Sequence, residues 1–153
     1  MYGQDQNNGE MIVAEYKPDL DNLLRFLPYL IKQSGASKQN YYEGDGETKI
    51  IPVPVYDSTL LQFVREAEKT KFITKNYPYT YTRHALKTPE DERNAMKAAK
   101  LTDIELFRGI ISKYVLEGKR RGVVWTEAVN EEIFVCALEC MDRLFSIYSN
   151  YKS

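Results

Sequence analysis

Apolar residues recur at helical spacing along most of this chain. In residues 18–33, Leu20, Leu23, Leu24, Leu27, Leu30 and Ile31 fall on one stripe, with Asp19 or Asp21 placed to cap it. Pro28 breaks that pattern, so a kink or stop is predicted near Leu24–Leu27. A second stripe, Leu60, Leu61, Val64 and Ala67, follows Asp57 and Ser58. Thr88, Pro89 and the acids Glu90, Asp91 and Glu92 make a strong helix start. Thr102 and Glu105 have capping-box spacing ahead of Ile104, Phe107, Ile110, Ile111, Tyr114 and Val115, and Gly118 is placed to end that helix in a left-handed turn. A short helix is predicted over 123–129 and a last one over 131–148. The latter carries Ile133, Phe134, Ala137, Leu138, Met141, Leu144, Phe145 and Tyr148.

Two stretches break the pattern. Residues 34–56 pass from Ser, Gly and Asn through "EGDGE" to a run carrying Pro52 and Pro54, which excludes both helix and central strand. "NYPYTYTRH" has no clear period. The expected fold is therefore a mainly α, single-domain bundle of five or six helices. A short β-hairpin or extended excursion is expected near residues 40–56. Residues 1–14, polar at the start, read as a disordered N-terminal segment, and 15–150 as the helical domain.

With 153 residues, 43% hydrophobic and 28% charged, the chain can bury a substantial core. Its net charge of −1 gives no overall attraction to nucleic acid or to anionic membranes. The charge is uneven: residues 83–121 hold ten Lys/Arg against six Asp/Glu. No apolar run approaches the ~18 residues of a membrane span, and the start lacks a secretory layout, so a cytoplasmic location is expected. Cys136 and Cys140, four apart in a helical pattern, read as buried free thiols.

Motifs for chemistry are sparse. "GDGETK" lacks the spacing and the ending of a phosphate loop, no zinc or nucleophile-elbow pattern occurs, and His84 is the sole histidine. No cofactor and no metal are expected, and the balance leans against catalysis without deciding it. The remaining candidates for ligand binding are Tyr77, Tyr79, Tyr81, Arg83 and His84 in the aromatic stretch, and Lys119, Arg120, Arg121 and Trp125 after the long helix. The tyrosines could stack bases or an anionic aromatic ligand, or simply pack over the bundle. The basic triplet could contact phosphates, or sit at a helix C-terminus where the dipole favours cations. The structural reading is favoured for both, with Trp125 anchoring the corner inward.

The string "VVWTEAVNEEIFVCALECMDRL", after a helix ending near "LEGKRRG", resembles the C-terminal half of a family of small, mainly helical bacterial proteins of unknown function. That family carries a basic-aromatic-x-Glu-Gly corner, a Trp-x-Glu-Ala short helix and an Ile/Leu-rich last helix. Trp125, Glu127, Ala128, Val129, Ile133, Leu138 and Leu144 fall on this pattern, and "PVYDSTLLQFVREAEKTKFI" looks like its central helix. Two features depart from it. The glycine before the last helix is replaced by Glu131 or Glu132, and no aromatic stands among the corner's charges. The resemblance implies a helical cytoplasmic bacterial protein and brings no activity. The function expected is a non-catalytic helical interaction or regulatory module working through a protein partner or a homodimer. The alternatives are a nucleic-acid-binding module using the basic 83–121 region, and a small-ligand-binding protein with a Tyr/Arg/His site.

Overall fold

The computed structural model describes residues 2–42 and 58–152, with side chains placed for 9–34 and 58–148. Among the described residues there are eight α-helices and no strand. They are α1 (Tyr2–Leu24), α2 (Leu27–Tyr42), α3 (Ser58–Glu68), α4 (Tyr77–Arg83), α5 (Pro89–Ala98), α6 (Ile104–Gly118), α7 (Val123–Asn130) and α8 (Ile133–Lys152). A 3-10 turn, Leu101–Asp103, precedes α6.

The mainly α class is as the pattern predicts, but the helices number eight rather than five or six. One addition comes from Pro28. It ends the first stripe at Leu24 and sits in the first turn of α2, where its missing N–H is no loss. The other is α4, built from the aperiodic tyrosine stretch. Of the predicted excursion near 40–56, residues 40–42 close α2 and 43–57 lie outside the described residues; no described residue supports a hairpin.

α1 begins at Tyr2 and takes in residues 2–14, which their polarity assigns to a disordered end. A neighbour accounts for part of the difference. A Cβ on Gly9 would lie 2.9 Å from the Tyr148 ring, so α1 rests closely on α8. α1 also runs through Pro18, and neither aspartate caps it. Asp19 instead accepts the Lys71 backbone N–H at 2.8 Å, and Asp21 pairs with Lys17.

The other local signals act only in part. Thr88 caps α5 in a capping box with Asp91. Thr102 does not cap α6; Asp103 accepts the Lys100 N–H at 2.8 Å, and Glu105 pairs with Arg108. On α3 the buried residues are Leu60, Phe63, Val64 and Ala67; Leu61, expected inward, is only half-buried, and Phe63 takes its place in the core.

The core gathers around α6 and α8. Phe26, Phe63, Phe134 and Tyr114 meet edge to face in sequence, with ring centroids 5.5, 5.0 and 6.4 Å apart. Each such side chain contributes about 1.5–3 kcal/mol by burial, and each ring pair about 0.5–1.5 kcal/mol more. All the residues predicted inward on α6 are buried, as are Ile133, Phe134, Ala137, Leu138, Met141 and Phe145 on α8.

Candidate functional site

α4 forms because Pro78 fits a first helical turn and because Thr80 finds a gap in α6. A Cβ on Gly109 would stand 2.5 Å from the Thr80 Cβ, so the glycine lets the two helices touch. The helix ends in a Schellman pattern. Leu86 N–H donates to the Tyr81 carbonyl and Ala85 N–H to that of Thr82, while Ala85 takes the left-handed φ of 53° that glycine normally supplies.

This helix separates the three tyrosines. Tyr77 and Tyr81, four apart, turn toward α5 and α6, and Tyr79 points outward, 58% exposed. The Tyr77 hydroxyl donates to Glu117 Oε2 at 3.1 Å. The Tyr81 hydroxyl donates to Glu92 Oε2 in a short hydrogen bond, and Tyr114 donates to Glu92 Oε1 at 2.6 Å. Glu92 is 1% exposed. Lys113 Nζ lies 3.8 Å from Glu92 Oε2 and sits 5.0 and 4.8 Å from the ring centroids of Tyr81 and Tyr114. Burial, and then the Glu92 carboxylate, push both phenols well above their usual range, so they remain hydroxyl donors. Both carboxylate oxygens are thus occupied. This knot ties α4, α5 and α6 together.

The sequence candidates therefore do not all converge on one site. Tyr79, Arg83 and His84 line a small pocket of about 150 Å³ with Thr74, Asn76, Thr80 and Glu105. Lys119 is paired with Glu68 on α3. Arg120 and Arg121 are exposed. Trp125 is half-buried and donates its indole N–H to the Val115 carbonyl at 3.2 Å.

Gly118 is required at this corner for a reason other than the predicted left-handed turn. It remains helical, and Lys119 follows it in the right-handed region. A Cβ on Gly118 would overlap the Trp125 indole, so the glycine makes room for the ring over the end of α6.

A different constellation emerges between α5 and α8. A cleft of about 480 Å³ opens to solvent there, lined by Arg93, Lys97, Glu132, Val135, Cys136, Glu139, Cys140 and Arg143. Arg93 and Lys97 are one turn apart on α5. Cys136, Glu139, Cys140 and Arg143 follow one stripe of α8, beside the apolar stripe that enters the core. Arg93 is held by Glu131, through both its backbone carbonyl at 2.9 Å and its side chain at 3.0 Å. Among the described residues, Lys97 and Arg143 take part in no ion pair.

Glu132, at the lip of this cleft, has a φ of 60°. It is one of the two positions, with Glu131, where the resembled family carries a glycine, and a side chain at this φ costs about 1–2 kcal/mol of backbone strain.

The two thiols are reduced and buried, with their sulfurs 3.9 Å apart. The Cys136 sulfur also lies 3.9 Å from the Arg93 carbonyl oxygen, to which it can donate. The thiols are not equivalent. A hydrogen bond from Cys136, with the charges of Arg143 and Lys97, outweighs burial and Glu139 and lowers Cys140 to about 7. The same pairing, with burial, pushes Cys136 upward.

Sequence reasoning missed the cleft because none of its residue types is unusual. Glu92 did leave a signal: it lies four residues before buried Met96, on the inward face of α5.

No family model, curated protein or solved structure matches this chain. The resemblance noted above therefore adds nothing to the site. Among the described residues no group of three or more His, Cys, Asp or Glu side chains could hold a metal ion, and no helix is long and apolar enough to cross a membrane.

Proposed function

We propose that this protein is a non-catalytic regulatory module whose α5–α8 cleft receives a small, net-anionic ligand. The observation that carries this reading is the convergence of Arg93, Lys97 and Arg143 on a water-accessible cleft. Arg93 is paired with Glu131, whereas Lys97 and Arg143 take part in no ion pair among the described residues; cations left open at a concave surface are what a carboxylate or phosphate ligand requires. Glu139 on the same wall favours a ligand that also carries an ammonium or other donor group. The bound state would be passed to a partner protein or to a second copy of the chain. A cytoplasmic setting belongs to this reading, since a reducing compartment keeps both thiols free.

Nucleic-acid binding through the basic region is the weaker reading. Lys119 is paired with Glu68, and Lys113 is drawn inward to Glu92. Tyr77 and Tyr81 are committed to carboxylates, which leaves Tyr79 as the one exposed ring of the three.

Thermal melts test the proposal, with citrate, inorganic phosphate and reduced glutathione as probes. At least one probe should raise the melting temperature saturably, and Lys97→Ala plus Arg143→Ala should abolish that rise without lowering the ligand-free melt appreciably. No saturable rise with any probe, or an equal rise in the double variant, would refute it.

A further inference from the structure

The two cysteines of the cleft are geometrically unsuited to each other as a disulfide. Residues four apart on a helix hold their Cβ atoms about 5–6 Å apart, whereas a disulfide needs about 3.5–4.5 Å. Closing the bond would require unwinding a turn of α8, whose inward face is part of the core. Their 3.9 Å separation suits a different task, in which one thiol donates a hydrogen bond to the other as a thiolate. In the neutral pair, Cys140 can donate to Cys136 and Cys136 to the Arg93 carbonyl. When Cys140 loses its proton to solvent, the Cys136 S–H can turn from that carbonyl to the Cys140 sulfur.

We propose that Cys140 is a site of reversible S-thiolation by a small anionic disulfide, with Cys136 as its hydrogen-bonding neighbour and Lys97, Arg93 and Arg143 as the groups that draw the reagent in. This deepens the ligand reading, since it uses the same cleft. The Cys140 thiolate attacks one sulfur of the disulfide RS–SR. A new S–S bond forms, the old one breaks, and RS⁻ leaves and takes a proton from water. Cys140 is oxidised and half of the reagent is reduced, so no other oxidant is needed. Cys136 cannot resolve the adduct without unwinding the helix, so the mixed disulfide persists until an external thiol removes it.

The lowering of Cys140 by the Cys136 hydrogen bond and by the charges of Arg143 and Lys97 supports this step, because the thiolate is the nucleophile. The neighbouring charges reinforce it from both helices. Arg93 and Lys97 come from α5 and Arg143 from α8, against Glu132 and Glu139. Once bound, the adduct would occupy the cleft and place carboxylates among these cations. The modification would then block the anion site in the same act.

The reduced full-length protein is incubated with oxidised glutathione, an anionic disulfide, or with cystamine, a cationic one, and followed by intact-mass spectrometry and peptide mapping. A single adduct on Cys140 is expected. Oxidised glutathione should react about tenfold faster than cystamine relative to a free cysteine peptide, a modest instance of electrostatic focusing. Lys97→Ala plus Arg143→Ala should remove that preference. Cys136→Ala should move the midpoint of the rate–pH profile upward from about 7, and Cys140→Ser should form no adduct. If Cys140→Ser does not fold, peptide mapping of the wild-type adduct still locates the site. The proposal is overturned if no adduct forms before denaturant is added, if the adduct is on Cys136, or if cystamine reacts as fast as oxidised glutathione. Saturable melt shifts without an adduct would retain the ligand reading and sink this one; an adduct without melt shifts would do the reverse.

Discussion

α5 places two carboxylate and guanidinium neighbours, Glu92 and Arg93, on opposite errands. Glu92 turns inward and meets two hydroxyls and an ammonium; Arg93 turns toward a cleft whose other cations, Lys97 and Arg143, take part in no ion pair among the described residues. Burial explains the difference. A carboxylate removed from water is tolerated only when its oxygens are hydrogen-bonded and a counter-charge is near, so the Glu92 environment is complete by necessity. At the cleft, water solvates what the protein leaves open, and the side chains can stay available. A charged cluster that is fully satisfied holds helices together; one that stays unsatisfied at a concave surface is placed to bind.

The largest expected effect lies on the inward side. Glu92→Ala would leave two buried hydroxyls and a part-buried ammonium without their acceptor, and should cost about 3–5 kcal/mol in urea denaturation. A cost below about 1 kcal/mol would remove the distinction between knot and cleft. Leu138→Ala, on the core face of α8, should cost about 2–5 kcal/mol by cavity formation. It calibrates the knot against ordinary packing in the helix that carries the thiols. Gly118→Ala should cost about 1–3 kcal/mol, because the added methyl must displace the indole. The Trp125 emission should shift to longer wavelength in this variant, since the tryptophan is unique in the chain.

The cleft should reveal itself through pH rather than through large stability losses. Cys140 has a folded pKa below its unfolded value, so between about 7 and 9 the unfolded chain binds more protons there. Stability of the wild type relative to Cys140→Ser should therefore rise with pH across that window, and fall as pH drops through about 7. Cys136, shifted the other way, loses its contribution only above its ordinary range. The smallest effect belongs to the exposed corner. Arg120→Ala plus Arg121→Ala should change stability by under ~1 kcal/mol. Tight, salt-sensitive nucleic-acid binding abolished by that pair would restore the phosphate-contact reading of the corner.

The parts of the fold that could be read from the sequence are those where local chemistry decides. The capped start at Thr88, the stop at Pro28, and the apolar stripes of α6 and α8 all express short-range rules. α4 could not be read this way. Tyrosines at alternate positions mimic a strand, and their helical arrangement depends on Glu92, Glu117 and the gap at Gly109, all distant in sequence. Gly118 was rightly singled out as necessary, but its partner is the Trp125 ring and not a turn. The cleft was the least legible feature. Its charges come from two helices brought together by packing, and its cysteines look like core thiols until the side that meets water is known.

The central claim, that the α5–α8 cleft and not the tyrosine–Glu92 knot is where this protein meets a ligand, is tested most directly by the alkylation of folded protein with iodoacetamide. The labelling site is mapped in the presence and absence of saturating citrate, phosphate or reduced glutathione, whichever shifts the melt. Cys140 should be labelled selectively, the stabilising probe should slow that labelling, and Tyr81→Phe should leave both the labelling and its protection unchanged. Equal labelling of Cys136 and Cys140, or a labelling rate indifferent to the bound probe, would contradict the account.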